Sequence, residues 1–528
     1  MKPQTSRRDF LKLAGLALTF PMLGKTEGGG FQSLESASAK ASADKKPKFN
    51  LLILHTDEHN FRTLGCYRAL LPKEQAFIWG DGVAVETPHL DALAKSGALC
   101  DRYYTVSPVC TPSRAAFVSG RFPQNTGAPS NDLPMNDDII TFGEALRRNG
   151  YATGYAGKWH LDGGSKPGWT PKRQFGFSDN RYMFNRGHWK QLEDTAKGPA
   201  VKGGNTYAIR GADVKSFTTD FLADKVVAFI QAHRQQPFCF MVSFPDPHGP
   251  NSVRAPYDTM FEKMKFQQPR SAYAPAAGLP VCAAPFAKPA FENMSRYFGM
   301  VKCIDDNVGK IMNALRAAGV AEKTVVVFTS DHGDMCGEHG RVNKGIPLEG
   351  SARIPFLISA PGLIKPGTVI HEALANVDFK PTILALLGLP ADPKDEGRDT
   401  SALFRAGKAP ADWKNVAFSR NAPGAWLMAV NSRHKFIVSN DSDPCLFDLE
   451  ADPFELRNIF ALPESRPVVR ELAQALLGYA QRCKDEHADQ PSVRADLIWC
   501  AEGSGGYKAP KREQKKGKRT KTVEDDDK

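Results

Sequence analysis

The sequence predicts an α/β fold: a large sheet sandwiched by helices, followed by a smaller C-terminal antiparallel sheet plus helix. Three observations carry this. Between about residues 44 and 400 the chain repeats a cycle of short apolar run, polar loop and helix signal. Past 400 the pattern changes to short strand-like runs separated by turns. The composition, 41% hydrophobic and 24% charged in 528 residues, is that of a globular chain long enough for more than one domain. Disorder throughout, collagen and a coiled coil are thereby excluded.

The elements follow in order. In residues 1–43, Ser6-Arg7-Arg8-Asp9-Phe10-Leu11-Lys12 precedes an apolar run, 13–23, that is too short to span a bilayer. Ala37-Ser38-Ala39 and Ala41-Ser42-Ala43 offer small residues for cleavage. This leader looks like a twin-arginine export signal, which implies the twin-arginine translocase as a partner and a periplasmic or secreted location. No other segment approaches the length of a stable membrane span.

Residues 50–55 (NLLILH) read as the first strand, ending at Asp57-Glu58. Thr87-Pro88 opens a helix that Gly97 closes, and Thr141 with Glu144 forms a capping box for a helix ending at Gly150. Residues 151–156, 238–244 and 324–329 are further strands, the last preceded by a long helix over about 291–318. Segments 165–215 and 250–290, rich in Gly, Pro and polar residues, read as long loops. In a second domain, 401–507, short strands are predicted at 426–430, 435–438 and 445–449, with an amphipathic helix near 468–483. The tail, 508–528, is charged and nearly devoid of apolar residues, a composition of disorder.

The net charge of +11 sits mostly at the ends. Nine basic residues against four acidic precede residue 49, and nine against five follow 507, which leaves +2 for the body. Tracking a nucleic-acid backbone needs charge on a folded face, so no nucleic-acid partner is expected. Ten cysteines in a chain of this size, with no CxxC, form neither a disulfide framework nor a zinc set.

Four of the predicted strands end in ionisable residues: Asp57 and Glu58, Lys158 and His160, Asp246 and His248, Asp331 and His332. Ligands of open α/β sheets bind beyond the carboxyl ends of strands. Asp57, Glu58 and Asp331 converge if the first and last of these strands are neighbours. Three carboxylates in one cleft repel unless a cation sits among them, which points to a divalent metal, calcium by ligand hardness. Cys110, in SPVCTPSRAAFVSGR, lies where a helix starts, with Arg114 one turn on. As a bare thiol there it could act as a thiolate nucleophile.

CTPSR at 110–114, continued by Gly120-Arg121, resembles the C-x-P-S-R signature of the type I, formylglycine-dependent sulfatases of the alkaline phosphatase superfamily. GKWH at 157–160, PDPH at 245–248, SDHG at 330–333 and HGRVNKG at 339–345 fall in that family's order, and CLFDLEADPFELRN at 445–458 extends the likeness toward the C-terminal helix.

The resemblance implies an alkaline phosphatase-like fold with a large mixed sheet, and a sulfuric ester hydrolase whose Cys110 is oxidised to formylglycine by a separate maturation enzyme. One oxygen of the hydrated aldehyde ligates Ca2+ and attacks sulfur, and a second hydroxyl later expels sulfate. Arg114 stabilises the ionised hydrate, Lys158 and Lys344 clamp sulfate oxygens, His248 is the acid toward the leaving alcohol, and His160 is the base that helps break the sulfated hemiacetal. The implied metal set is Asp57, Glu58, modified Cys110, Asp331 and His332.

Two positions depart from the family pattern. Glu58 stands where a second aspartate is usual, a longer arm that either ligates by a shifted geometry or leaves the shell. His332 stands where asparagine is frequent, and imidazole is a poorer calcium ligand than an amide oxygen. The roles of Asp246, Glu349 and Arg353 stay open. Two other functions are compatible with the scaffold: phosphonate monoester or phosphodiester hydrolysis, and non-catalytic binding of sulfated glycans. Trp169, Tyr182 and Trp189, read as exposed loop aromatics, suit stacking on the rings of a sulfated oligosaccharide, with local packing as the alternative.

Overall fold

The structure, a computed structural model, describes residues 48–512 apart from 205, 274–277, 287–290, 292 and 423. Residues 1–43, expected to form a twin-arginine leader, lie outside the described residues, as does the tail from 513 onward. Among the described residues the main sheet contains β1 (Asn50–Asp57), β2 (Ala98–Cys100), β3 (Ala152–Lys158), β4 (Asp179–Phe184), β5 (Phe238–Pro247), β6 (Thr324–Ser330), β7 (Phe356–Ser359) and β8 (Thr368–Ile370). Their order across the sheet is β8-β2-β7-β6-β1-β5-β3-β4. Strands β6, β1, β5, β3 and β4 run parallel, whereas β7 is antiparallel to both β6 and β2, so the sheet is mixed.

The central strands are apolar runs because both faces of the sheet are covered. Every residue of β1, β5 and β6 is buried. The covering helices are α1 (Pro88–Lys95), α2 (Cys110–Ser119), α3 (Phe142–Arg148), α4 (Thr218–His233), α5 (Met294–Ala317) and α6 (Phe379–Leu386). Alternate residues of β1 go to opposite layers, as the two-residue period of a strand requires. Leu52 and Leu54 pack with Leu90 of α1, Val226 of α4 and Ile304 of α5. Leu51 and Ile53 pack with Phe117 of α2, Phe142 of α3 and Phe379 of α6. Pro88 stands in the first turn of α1 as expected, whereas the capping box forms by half: the Thr141 side chain accepts the Glu144 N–H at 3.1 Å, but the Glu144 carboxylate turns to Arg147 and Arg148. Gly120, at φ 70°, ends α2 in the left-handed conformation that glycine tolerates best.

After residue 400 four strands form an antiparallel sheet in sequence order: β9 (Ala417–Arg420), β10 (Trp426–Val430), β11 (His434–Ser439) and β12 (Cys445–Asp448). The amphipathic helix is α7 (Arg466–Cys483), and a further helix, α8 (Pro491–Glu502), was not among the expected elements. Trp426, Leu446, Leu472 and Leu497 share one core with Tyr104, Ala116 and Leu348 of the larger lobe. Leu403 and Phe404, just past 400, pack in the core of that lobe. Of the charged tail, residues 508–512 are described, and Arg512 donates to Asp496 at 2.9 Å and to the Ser439 carbonyl at 3.1 Å. No helix among the described residues is long and apolar enough to cross a membrane.

Candidate active site

The four strands that end in ionisable residues are adjacent, in the order β6-β1-β5-β3, and share a direction. His55 of β1 pairs with Ser243 of β5 on one side and Thr329 of β6 on the other. Their loops therefore leave the sheet at one edge, and Asp57 and Asp331 meet there. Cys110 joins them from the first residue of α2. Its Sγ lies 3.2 Å from His332 Nε2, 3.7 Å from Lys158 Nζ and 3.8 Å from Asp57 Oδ1. The ligand atoms of Asp57, Cys110, Asp331 and His332 all lie within 4.8 Å of one another.

Arg114, one turn along α2, is buried between the two aspartates. Its Nε donates to Asp331 Oδ2 at 2.9 Å and its Nη2 to Asp57 Oδ2 at 3.0 Å. Its Nη1 donates to Ser243 Oγ at 2.7 Å and to the Lys158 carbonyl at 2.8 Å. The guanidinium thus braces the carboxylates, and its hydrogen bonds go to them rather than to the side chain at 110. Gly157 lets β3 approach β5 here: at φ 101°, a Cβ on it would sit 2.0 Å from the Ser243 carbonyl oxygen.

A second layer of cations faces this group. Lys158 Nζ lies 2.7 Å from Asp57 Oδ2 and 2.6 Å from His188 Nε2. The His188 ring stacks on His248, with centroids 3.5 Å apart and planes 7° from parallel. His248 Nε2 is 2.9 Å from Glu58 Oε2 and 2.6 Å from Lys344 Nζ, and Lys344 Nζ is 3.2 Å from the same Glu58 oxygen. His248 Nδ1 faces the Gly249 carbonyl at 2.8 Å. In the neutral ring Nδ1 then carries the proton and Nε2 accepts from Lys344; a second proton, on Nε2, would meet Glu58. His160 is buried beside α2, where Thr111 Oγ1 donates to its carbonyl at 2.9 Å, and its Nε2 is 2.9 Å from Asp132 Oδ1.

The sulfatase family profile matches residues 73–389, more than half of the chain. The chain belongs to the sulfatase family. A profile for the C-terminal part of N-sulphoglucosamine sulphohydrolase matches residues 337–482 of this sulfatase. An ulvan-active sulfatase of Formosa agariphila is 30% identical over 449 residues, which cover 81% of this chain and 80% of the relative. An N-acetylglucosamine-6-O-sulfatase of Bacteroides thetaiotaomicron is 25% identical over 539 residues, covering 86% and 90% respectively. A solved structure, of a protein in complex with its substrate D-glucosamine-2-N,6-O-disulfate, shares the fold with a TM-score of 0.69 at 23% identity, covering 84% of this chain and 100% of that one.

The electrostatics of the sulfatase site follow from this packing. Burial pushes Asp57 toward protonation, but Lys158 and Arg114 overcome it and hold the carboxyl well below its ordinary range. Glu58 is held down in the same way by His248 and Lys344 against burial. Asp331, raised by burial and by Asp57, is still lowered by His332 and Arg114. Burial first, then the Asp57 charge, push the Cys110 thiol up despite Lys158 and Lys344. The unmodified cysteine is therefore a thiol, which disfavours the thiolate nucleophile. Burial lowers His160 to about 4 against the opposing hydrogen bond to Asp132, so the ring is neutral near pH 7.

The donor set fits a divalent cation. Asp57 and Asp331 are hard oxygen donors, His332 Nε2 faces the same space, and the Cys110 sulfur marks where the oxygen of an oxidised side chain would lie. Glu58 departs from the expected set. Its longer arm carries Oε2 to His248 and Lys344, outside the four-residue group, while Oε1 is buried with no hydrogen-bond partner among the described residues. An orphaned carboxylate oxygen is costly unless a cation or substrate hydrogen bond meets it.

Other residues fall away from the centre. Asp246 binds Lys190 Nζ at 2.7 Å and Thr219 Oγ1 at 2.6 Å, and Lys190 also donates to the His248 carbonyl at 3.2 Å, so Asp246 acts on His248 through its backbone. Glu349 and Arg353 pair with each other at 3.2 Å in a separate network. The expectation of exposed aromatics fails at Trp189, which is 1% exposed and donates to the Arg186 carbonyl. Trp169 and Tyr182, half-buried, pack on Phe184 and Phe221. Apolar side chains of β4 and α4 take up these rings. His188 and Asp132 are site residues that no motif marked. A cavity of about 940 Å³, lined in part by Trp413, Phe418 and Arg482, includes none of the residues gathered around Cys110.

Proposed function

We propose that this sulfatase releases sulfate from a sulfated saccharide, using formylglycine made from Cys110 and a calcium ion, after export through the twin-arginine pathway to the periplasm or beyond. The observation that carries the catalytic part is the placement of Cys110, buried at a helix N-terminus among Asp57, His332 and Lys158. The saccharide part is supported by the N-acetylglucosamine-6-O-sulfatase relative, and the export part by the leader alone.

Asp57, Asp331, His332 and residue 110 would hold the calcium, which when bound draws electron density from the sulfate oxygens and from the nucleophile. The hydrated aldehyde supplies a nucleophilic oxygen and a second hydroxyl that a thiol lacks. Arg114 keeps Asp57 and Asp331 ionised and in place. Lys158 and Lys344 put two ammonium groups where sulfate charge grows in the transition state. His248 delivers a proton to the leaving alcohol from Nε2, the atom that Glu58 and Lys344 face. His160, buried and neutral, accepts a proton when sulfate departs.

Mass spectrometry of the peptide containing residue 110, from protein made together with a formylglycine-generating enzyme, tests the modification: an aldehyde in place of the thiol is expected. A panel of sulfated sugars, with aryl sulfate and aryl phosphate esters alongside, tests the reaction. Clear preference for phosphate would reassign the chain to phosphonate or phosphodiester hydrolysis. Binding of sulfated glycans without sulfate release, after verified modification, would make it a binding protein.

A further inference from the structure

Asp132 occupies a short segment that sequence patterns leave unremarked, yet it is tied to the site at several points. The neighbouring Asn131 accepts the Thr111 N–H at 3.1 Å, next to Cys110, and the Met135 N–H donates to the Leu161 carbonyl at 3.0 Å. Asp132 itself has φ 63°, in the left-handed region that a non-glycine residue adopts at some cost. In that conformation its Oδ1 meets His160 Nε2 at 2.9 Å and its Oδ2 meets Arg186 Nη1 at 2.9 Å. His160, also at positive φ (61°), has its backbone N–H bound to the Asn185 carbonyl at 2.7 Å. Both partners of the pair are thus held by backbone hydrogen bonds around them.

A carboxylate only accepts hydrogen bonds, so the ring nitrogen against it carries the proton. A neutral imidazole then has its lone pair on the other nitrogen. That atom, His160 Nδ1, is buried and has no hydrogen-bond partner among the described residues.

We infer that Asp132 is a positioning residue that fixes His160 in the Nε2–H tautomer, with Arg186 steadying the carboxylate, and so leaves Nδ1 as the proton acceptor of the site. The inference rests on the proposed role of His160 as the base. The carboxylate holds one tautomer, whereas an amide at 132 can present either an acceptor or a donor to Nε2. Presented as a donor, it moves the ring proton to Nδ1 and removes the acceptor.

The tautomer is read directly by nitrogen NMR of 15N-histidine-labelled protein carrying unmodified Cys110, with the His160 signals identified by their loss in His160→Gln. The expected result is Nε2–H in the wild type, retained in Asp132→Glu, and a population of Nδ1–H in Asp132→Asn. In the matured enzyme Asp132→Asn is expected to lower kcat on the order of 100-fold with KM within about threefold, and Asp132→Glu to recover part of the loss. Nδ1–H in the wild-type ring, or Asp132→Asn with tautomer and kcat unchanged, overturns the inference. A matured wild type inert toward every sulfate ester would instead overturn the proposed function, since the tautomer is measured without turnover.

Discussion

Two buried ionic networks in this sulfatase use the same ingredients to different ends. Beyond the ends of β1 and β6, Lys158 and Arg114 neutralise Asp57 and Asp331. Beneath the small sheet, Lys435 of β11 sits between Glu349 at 2.9 Å and Glu455 at 2.7 Å, with Arg353 on the far oxygen of Glu349 at 3.2 Å. In the second network Lys435 lies within ion-pair distance of both carboxylates and the Glu349 N–H donates to Glu455 at 2.8 Å, yet Glu349 Oε1 and Arg353 Nε are buried without a hydrogen bond among the described residues. In the first, Glu58 Oε1 and His160 Nδ1 are buried without one, and a sulfur lies among the charges. Burial of charge is common to both, so it does not mark function. Buried polar atoms left without a hydrogen bond are common to both as well; what sets the first apart is four potential metal ligands, a sulfur among them, within 4.8 Å of one another.

Substitutions that separate chemistry from architecture test this contrast. Cys110→Ala is expected to lower turnover of an aryl sulfate by at least about 10⁴-fold while the thermal midpoint moves little, because the change is small and removes no paired charge. Lys435→Met is expected to do the reverse. Leaving Glu349 and Glu455 buried without their shared cation costs about 3 kcal/mol, read in denaturant unfolding, and the folded fraction keeps its kcat. Loss of kcat at Lys435 beyond the unfolded fraction would erase the distinction between the networks.

The first network is also expected to respond to metal where the second is not. Calcium at about 100 times its Kd adds about 2.7 kcal/mol to a protein that binds it only when folded. Chelation should therefore lower the thermal midpoint of the wild type, and Asp331→Asn should blunt that response. Lys435→Met should leave the increment from calcium unaltered. A midpoint indifferent to chelator in protein of verified metal content would count against the metal site.

The sequence made the strand-end half of the site legible and left the loop-borne half hidden, for a physical reason. Apolar runs such as 50–55 and 324–329 announce buried parallel strands, and residues just past such runs are placed by the sheet itself. Asp57, Lys158, His248 and Asp331 could be found that way, and the CTPSR run added Cys110 and Arg114. His188 and Asp132 reach the site from loops, where no period constrains direction and only the folded chain brings them to Lys158 and His160. The same limit explains Trp189, assigned to the surface from its loop but buried in the structure. Glu58 shows a third case. Its place in the sequence suggested a metal ligand, but one extra methylene carries the carboxylate to His248 and Lys344. Helix α8 was obscured because Asp496 interrupts its apolar stripe of Val493, Leu497, Cys500 and Ala501. That charge is met by Arg512 and Tyr507, outside the helix.

The last expected effect concerns acid. His160 faces Asp132, Lys158 and Arg114, and burial brings it to about 4 from the ordinary histidine value of 6.5. As a base it works when neutral. The acid limb that it sets on kcat/KM should therefore lie near pH 4, leaving activity flat from pH 7 to about pH 5 as far as this group is concerned, where an exposed histidine would already have cost about 25-fold. Stability carries the same signature with a definite sign. Between pH 6.5 and 4 the unfolded chain binds a proton at this residue and the folded chain does not, so stability falls as pH drops through that window and levels off below it. The span amounts to about 3 kcal/mol for this fully buried ring. His160→Gln removes the term, so the stability difference between wild type and variant should shrink by about that amount from pH 7 to pH 4. A difference independent of pH would mean that His160 titrates as an ordinary surface group, and the buried, half-satisfied ring would lose its claim to act as the base.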